Sequence, residues 1–222
     1  MACWSAENAT RAYLSTLKMG QKAKEPDVAE FISALAAGNN AQLMVVACTG
    51  EASSTILALV AAANQTGGNV ICIFPGIQEM KASKNALGVV AHRVHFLTGD
   101  AQDLLLNQFE AADFVLIDCK LENHEEIFKA VQVGGKQNGT VVVGYNAFSR
   151  GSWGPCGSKT QLLPIGEGLL VTKFGEISNG NSPKYGSGFG RSKSRWVVKV
   201  DKCTGEEHVF RVRFPQGKVI HA

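Results

Sequence analysis

The sequence predicts a doubly wound α/β domain with a mostly parallel, Rossmann-like sheet, closed by an antiparallel hairpin and followed by a C-terminal β-hairpin extension. Two observations carry this prediction. Short runs of Val, Ile and Leu without a polar face alternate with segments of helical periodicity, which is typical of parallel strands covered by helices on both faces. Nearer the C-terminus, paired apolar runs flank turns that contain glycine, which is typical of antiparallel hairpins.

The first two predicted elements are helices. Residues 8–18 form a short one, and the segment EPDVAEFISALAAG at 25–38 forms a second. In that segment Val28, Phe31, Ile32 and Leu35 follow the i, i+3, i+4, i+7 spacing, and Gly38 ends the helix. The second helix is therefore predicted to bury one face.

Strands and helices then alternate. The predicted strands are residues 42–48, 69–74, 93–97, 113–118 and 139–144, and the helices between them are 53–63, 78–87, 102–109 and 123–133. Residues 161–174, QLLPIGEGLLVTKF, predict the hairpin that closes the sheet. Residues 1–174 thus form the predicted α/β domain.

Two further segments follow this domain. Residues 175–194 are rich in Gly, Ser, Asn and basic side chains and lack apolar periodicity, which indicates a linker or loop. Residues 195–222 contain two alternating runs around Thr204 and Gly205, which predict the C-terminal hairpin.

The basic charge of the chain belongs to this C-terminal part. Residues 144–222 contain 12 Lys and Arg against 5 Asp and Glu, whereas residues 1–143 contain 10 against 14. Such a bias suits an acidic protein partner, or a solvated hairpin packed on the sheet edge. Nucleic acid is disfavoured as a partner because the linker lacks the interleaved aromatic side chains of a single-strand binding surface. The oligomeric state is left open.

Composition excludes several classes. The N-terminus has no signal-peptide pattern, and the longest apolar stretch, ILALVAAA, is far below the roughly 18 residues of a membrane span. We expect a soluble protein of the cytoplasm, with the nucleus as an open alternative and no membrane partner. The six cysteines are widely spaced without a CxxC pair, so neither a zinc site nor a secreted disulfide framework is expected.

Ligands of doubly wound sheets bind beyond the C-terminal ends of the strands. This rule predicts a pocket formed by residues 49–51, 74–76, 99–101, 118–121 and 145–146. The turn TGEASST after the first strand matches neither the GxxxxGK[ST] phosphate loop nor the GxGxxG dinucleotide fingerprint. Both of those nucleotide sites are therefore excluded.

The order of segments resembles the S-adenosylmethionine-dependent O-methyltransferases of the caffeoyl-CoA and catechol type. The resemblance covers about residues 27–174 and rests on TGEASSTILALVAAA, GDAQDLL, DFVLIDCKLENH, VVVGYNAFSRG and LLPIGEGLLVTKF, in the family's order. The chain also resembles, over essentially its whole length, a plant family of uncharacterised, methyltransferase-like proteins known as a domain of unknown function. That resemblance rests on WSAENATRAYLSTLK, NAQLMVVA and KSRWVVKVDKCTGEEHVFR.

The resemblance implies S-adenosylmethionine as the cofactor. The implied cofactor-binding residues follow successive strands and are Thr49, Gly50, Glu51, Phe74, Asp100, Ala101 and Asp118. Asp100 is either a cofactor contact or the N-cap of the next helix. The ribose carboxylate that usually ends the second strand is absent unless Glu79 reaches back.

In the cation-dependent relatives a divalent metal is held by two Asp residues and one Asn, and a Lys assists deprotonation of the acceptor. The corresponding positions here carry Asp118, Tyr145 and Asn146, and the Lys position carries Leu121. A protonated phenol replaces a carboxylate poorly, so no metal is expected.

Five residues are weak catalytic candidates: Asp118, Asn146, Tyr145, Lys120 and His124. Lys120 is better explained as a surface lysine, and His124 as an exposed histidine at the start of a helix. Cys48, Cys72 and Cys119 are either soft ligands or redox thiols around the pocket, or small buried hydrophobic residues.

Two functions remain. The first is an S-adenosylmethionine-dependent, metal-independent methyltransferase with a small acceptor of unknown identity. The alternative is a catalytically inactive methyltransferase-like binding or scaffold module that uses its basic C-terminal extension.

Overall fold

The structure, a computed structural model of the 222-residue chain, describes residues 4–19, 28–50, 53–134, 139–149, 160–174, 194–200 and 207–213. Six α-helices fall in these ranges: α1 Ala6–Met19, α2 Val28–Gly38, α3 Ser53–Thr66, α4 Ile77–Leu87, α5 Ala101–Asn107 and α6 His124–Gly134. The strands are β1 Leu43–Ala47, β2 Asn69–Phe74, β3 Val94–Thr98, β4 Phe114–Asp118, β5 Val141–Tyr145, β6 Thr160–Leu163, β7 Leu169–Lys173, β8 Ser194–Val200 and β9 Glu207–Arg213.

Seven strands form one sheet in the order β3-β2-β1-β4-β5-β7-β6. The five strands β1 to β5 are parallel, and β7 joins β5 in the antiparallel direction with β6 outside it. The chain moves outward from β1 through β2 to β3 and then returns to the other side of β1 with β4. This reversal of direction between β1 and β4 is where ligands bind in open α/β sheets.

The two faces of the sheet are both covered. Alternate strand residues such as Met44 and Leu116 pack against α1, α2, α3 and α4, and the intervening ones, such as Val45 and Ile117, pack against α5 and α6. Because both faces of the central strands β1, β4 and β5 are covered, these strands are buried at nearly every position and consist mainly of apolar residues. The predicted fold class is thereby confirmed.

Element boundaries differ from the sequence prediction by one to three residues at most ends. α3 extends three residues further than predicted, to Thr66, because Asn64, Gln65 and Thr66 continue the helix without an apolar signal. Two 3₁₀ segments, Gly88–Arg93 and Ala147–Ser149, were not predicted, since single turns leave no periodic pattern. Residues 25–27 of the predicted second helix lie outside the described residues.

The contacts between Cα atoms divide the chain into two compact units, Met1–Ser178 and Asn179–Ala222. The first contains the seven-stranded sheet and all six described α-helices. In the second, β8 and β9 pair antiparallel, with Trp196 opposite Arg211. This pair forms at the place of the predicted C-terminal hairpin. Residues 175–193 of the predicted linker, and Thr204 and Gly205 of the predicted turn, lie outside the described residues.

Within the described ranges, no helix is both long enough and apolar enough to cross a bilayer.

Candidate ligand-binding cleft

An open cleft of about 280 Å³ lies at the C-terminal ends of β1 to β4. Its described lining comes from the ends of β1 and β2, the turn after β3, and the segment from β4 into α6. These lining residues are Ala47, Cys48, Ile73, Phe74, Pro75, Gly99, Asp100, Ala101, Leu121, Asn123 and Ile127. The volume is just below the roughly 300–1,000 Å³ of typical small-molecule pockets.

Several residues predicted from the sequence line this cleft. Phe74, Asp100, Ala101 and Leu121 all do so. Thr49 directly follows the lining residue Cys48, and Glu51 lies outside the described residues. Asp118, Tyr145 and Asn146 form a neighbouring cluster rather than the described lining of the cleft.

Asp100 has the structural role that the sequence left open. Its Oδ1 accepts a hydrogen bond of 2.8 Å from the backbone N–H of Gln102, so Asp100 caps α5. Gly99, immediately before it, has a φ of +153°, which L side chains rarely adopt. The Gly99 N–H donates to the carbonyl of Phe74 at 3.0 Å. This turn therefore fixes Asp100 at the cleft through the backbone of β2.

Gly50 leaves open space in the turn after β1. A Cβ added at this position would meet no heavy atom within 4 Å, and its φ is not in the left-handed region. The glycine is therefore not required by packing within the described chain. No described atom fills the space that its side chain would occupy.

Asp118 is a buried carboxylate that accepts three hydrogen bonds. Oδ2 accepts from the hydroxyl of Thr49. Oδ1 accepts from the backbone N–H of Lys120 at 3.0 Å and from Nδ2 of Asn146 at 2.8 Å. Asn146 has a φ of +59°, an uncommon conformation that an asparagine tolerates. The carboxylate therefore links the turn after β1 to the ends of β4 and β5.

This donor set does not suit a divalent cation. Hard cations need several anionic or carbonyl oxygens with lone pairs directed at the metal. Both oxygens of Asp118 are already occupied by N–H and O–H donors, and Asn146 presents its amide nitrogen to Asp118. In the described part of the chain, no group of three His, Cys, Asp or Glu side chains has metal-binding geometry.

Tyr145 is a buried phenol at the position where the cation-dependent enzymes carry an aspartate. Its side chain is 7% exposed and packs on the α1–α4 face of the sheet. Burial raises the pKa of Tyr145 well above its usual value, and the neighbouring Cys48, Asp118 and Cys72 raise it further. The hydroxyl therefore stays protonated at neutral pH and is suited to neither a metal ligand nor a general base.

The three buried thiols do not form one cluster. Cys48 and Cys72 lie on the α1–α4 face with their Sγ atoms 3.5 Å apart, whereas Cys119 packs on the α5–α6 face. Burial raises the pKa of Cys72 well above its usual value and that of Cys119 to about 12. Thiols that stay protonated are poor nucleophiles and poor metal ligands, so the structure favours the packing role.

Lys120 and His124 differ in exposure. Lys120 is exposed, as expected for a surface lysine. His124 is 5% exposed, and its Nδ1 lies 2.8 Å from the carbonyl oxygen of Leu121. The expectation of an exposed histidine at the start of a helix is therefore wrong, because the ring packs under the turn between β4 and α6.

Sequence reasoning missed two residues of the described cleft lining. Asn123 and Ile127 line the cleft because the turn after β4 carries the start of α6 across it. The available signal in the sequence was that both residues follow Asp118 closely along the chain. Glu79, which the sequence offered only as a residue that would need to reach back, has its carboxylate against Gly76, the N-cap of α4.

Solved structures share this fold. A methyltransferase from Geobacter sulfurreducens is 17% identical, with a TM-score of 0.56 over 77% of this chain and 90% of that one. The Podospora anserina methyltransferase PaMTH1, bound to S-adenosylhomocysteine, is 13% identical, with a TM-score of 0.56 over 78% and 90%. The O-methyltransferase TomG from Streptomyces achromogenes, in complex with S-adenosylmethionine, is 16% identical, with a TM-score of 0.51 over 79% and 92%.

At these identities the likeness establishes the fold. The comparison with curated protein sequences gave no match. A family profile described as "Protein of unknown function (DUF1442)" matches residues 1–212, which is nearly the whole chain. The chain therefore belongs to the DUF1442 family and has the fold of the O-methyltransferases.

Proposed function

We propose that this protein binds S-adenosylmethionine in the cleft and transfers its methyl group to a small acceptor without a metal ion. The position of the cleft is the observation that carries the proposal. It lies beyond β1, β2 and β3 of a sheet shared with methyltransferases, two of which were crystallised with S-adenosylhomocysteine or S-adenosylmethionine.

The residues at this place suit such a ligand. Pro75 and Leu121 give accessible apolar surface for an adenine ring, and Asp100 keeps Oδ2 without a hydrogen bond to any described residue. Gly50 leaves space for the amino-acid end of the ligand beside the turn after β1. When bound, S-adenosylmethionine would supply an electrophilic sulfonium methyl group, and the chain would orient it and exclude water.

The hydrogen bonds of Asp118 support the proposed independence from a metal ion. The buried carboxylate positions Thr49 and Asn146 instead of presenting lone pairs to a cation. We therefore propose that Asp118 supports the cofactor turn through Thr49 and does not contact the acceptor.

Melting and turnover together test this function. We expect millimolar S-adenosylmethionine to raise the melting temperature of the full chain, and EDTA to leave the shift unchanged. A panel of phenols, thiols and carboxylic acids should contain an acceptor that gives S-adenosylhomocysteine, also in EDTA. Absence of any shift at millimolar cofactor would contradict the proposal, and loss of the shift in EDTA would contradict metal independence.

A second candidate is a binding module without turnover, and the lining of the cleft favours it. Cys48 and Asp100 are the titratable side chains of the described lining, and Asp100 already caps α5. A general base is therefore not evident there. In this case the basic C-terminal unit would bind an acidic protein. Cofactor binding without turnover of any acceptor, together with salt-sensitive binding of polyglutamate that needs residues 179–222, would favour this candidate.

A further inference from the structure

β3 is the end strand of the seven-stranded sheet and pairs with β2 on one side. Among the described strands, none pairs with its other edge. Directly after β3, the Gly99 N–H donates to the carbonyl of Phe74 in β2. Because the backbone groups of a strand point alternately to its two edges, the N–H and C=O groups of Phe96 and Thr98 point away from β2.

The outward groups of Phe96 and Thr98 are open to a further strand. The N–H of Val94 bonds to the carbonyl of Ala91, but in the described ranges Phe96 and Thr98 have no backbone hydrogen bond outside the β2–β3 pairing. Proteins usually block such an edge with a charged side chain, a proline or a bulge. The strand VHFLT contains no Lys, Arg, Asp, Glu or Pro, and its pairing with β2 runs one to one without a bulge.

The surface around this edge is basic. Residues 80–99 contain no Asp or Glu but five basic side chains, all exposed, which are Lys81, Lys84, His92, Arg93 and His95. None of the five forms an ion pair with a described residue. The Nζ of Lys84 lies 4.9 Å from the centre of the Phe96 ring, so this cation lies beside the open edge. Lys81, three residues earlier in α4, lies on the same side of that helix.

An extended acidic peptide fits both features. Laid against β3, it would hydrogen-bond to the backbone of Phe96 and Thr98 and direct alternate side chains to the two faces of the sheet. Acidic side chains on the α1–α4 face would pair with Lys84 and Lys81. Side chains on the other face would lie beside Leu97, which is half-buried and packs against the core under α5 and α6. The peptide that fits therefore alternates acidic and apolar residues.

We propose that the open edge of β3 binds an extended segment of a partner protein in which acidic and apolar residues alternate. The inference does not depend on the proposed cofactor, because residues 94–98 are not part of the described cleft lining. Nucleic acid fits this surface less well. Phe96 is half-buried between Phe74, on which it stacks at 6.2 Å, and Lys84, so its ring offers no open face to a base.

Fluorescence polarisation of a labelled peptide EVEVEVE with the full chain tests the charge requirement. We expect saturable binding, and none of KVKVKVK. Lys81→Glu/Lys84→Glu should weaken binding at least about tenfold, because two attractions become two repulsions. Lys18→Glu/Lys129→Glu is the matched control, since both lysines are exposed, lie in α1 and α6, and change the net charge equally. It should alter the affinity less than about threefold.

Methylation of the peptide backbone separates strand pairing from charge attraction. Of two EVEVEVE peptides methylated on the odd or on the even nitrogens, one should bind at least about tenfold more weakly than the other, because only one edge of the peptide donates to β3. Hydrogen exchange followed by NMR gives a second measurement. With free peptide at about ten times its Kd, the amides of Phe96 and Thr98 should exchange about tenfold more slowly, because only the unbound fraction stays open.

Three results would overturn the inference. Equal binding of EVEVEVE by the two lysine variants would place the acidic ligand elsewhere on the chain. Equal affinity of the two methylated peptides, without slower exchange at Phe96 and Thr98, would show charge attraction without strand pairing. Binding of oligothymidylate or of phosphatidylserine vesicles in preference to the peptide, lost in Lys81→Glu/Lys84→Glu, would assign the surface to a different class of polyanion.

Discussion

The three hydrogen bonds that Asp118 accepts determine whether the end of β4 can bind a metal ion. Burying a carboxyl group is costly unless its oxygens accept hydrogen bonds, and here the Thr49 hydroxyl, the Lys120 N–H and the Asn146 amide donate them. The residue that resembles a metal ligand in the sequence is thereby a connector of three segments. Both of its carboxylate oxygens are engaged in hydrogen bonds within the protein.

Replacing Asp118 should therefore destabilise the chain. Asp118→Ala would leave three donors without their acceptor, and we expect the free energy of unfolding to fall by about 3 kcal/mol. Urea titration measures the loss, with the exposed Asp103→Ala as control, for which we expect a change below about 0.5 kcal/mol. Equal, small changes in both variants would show that the hydrogen bonds of Asp118 contribute little.

Gly50 should separate ligand binding from stability. Since a Cβ at this position meets no described atom within 4 Å, Gly50→Val should leave the melting temperature nearly unchanged. The added branched side chain would occupy the space proposed for the ligand, so we expect affinity for S-adenosylhomocysteine to fall at least about tenfold, or 1.4 kcal/mol. Undiminished binding in a folded Gly50→Val chain would move the ligand away from this turn.

At the scale of elements, the N-terminal helix is held by a contact between an indole and a glycine. Ser5 accepts a hydrogen bond from the N–H of Asn8 at 3.2 Å through Oγ, and its own N–H donates to the carbonyl of Gly38 at 2.8 Å. The ring of Trp4 lies so close to Gly38 that no Cβ fits between them. α1 is thereby fixed to the end of α2, although Trp4 remains 53% exposed.

Gly38→Ala should be destabilising only while Trp4 is present. We expect the added methyl to displace the indole and lower the free energy of unfolding by about 1–3 kcal/mol. In a Trp4→Ala background the same change should be neutral or stabilising, because alanine favours a helix over glycine. Chemical unfolding of the four chains of this cycle measures the coupling. An identical effect in both backgrounds would show that the ring does not contact Gly38.

The raised pKa of Cys119, the residue after β4, predicts that the stability of the chain depends on pH. Burial and the charge of Asp118 raise the pKa of Cys119 from 9.0 to about 12, so the folded chain holds this proton more tightly than the unfolded chain. Its contribution to stability is complete below pH 9 and is lost as the pH rises towards 12.

Cys119→Ala should therefore lose less stability than the wild type between pH 8 and 10.5, measured by urea unfolding at each pH. Thiolate absorbance of the native wild type should show Cys119 protonated at pH 10. Identical pH profiles for the two chains would contradict the raised pKa.

At the scale of the molecule, the seven-stranded sheet and the described lining of the cleft belong to the first compact unit, Met1–Ser178. We therefore expect a chain truncated after Ser178 to unfold cooperatively and to bind S-adenosylhomocysteine within about threefold of the full chain, which corresponds to less than 1 kcal/mol. Thermal melting and calorimetry check this. Loss of the transition on truncation would show that the second unit is needed for the fold.

The arrangement of the sheet could be predicted because buried strands and amphipathic helices each leave a characteristic pattern of apolar residues in the sequence. Buried strands such as β1 and β4 are apolar except for Asp118 at the end of β4, and the chain order restricts where each strand can lie. The positions of Phe74, Asp100 and Ala101 at the cleft follow from the ends of β2 and β3.

The properties of the site could not be predicted in the same way. The hydrogen bonding of Asp118 depends on Thr49, 69 residues away along the chain, and on the backbone conformation of Asn146. The position of Cys119 opposite Cys48 and Cys72 depends on how β4 aligns with its neighbours. The fold of Glu79 over Gly76 is a rotamer, which leaves no signal in the sequence.

Calorimetric titration of the full chain with S-adenosylhomocysteine tests the central claim, that the cleft is a cofactor site, most directly. We predict saturable binding of one ligand per chain with a Kd on the order of micromolar, unchanged in EDTA and weakened in Gly50→Val. No heat at millimolar ligand, with no stabilisation against thermal unfolding, would contradict the claim and leave a methyltransferase fold without its cofactor.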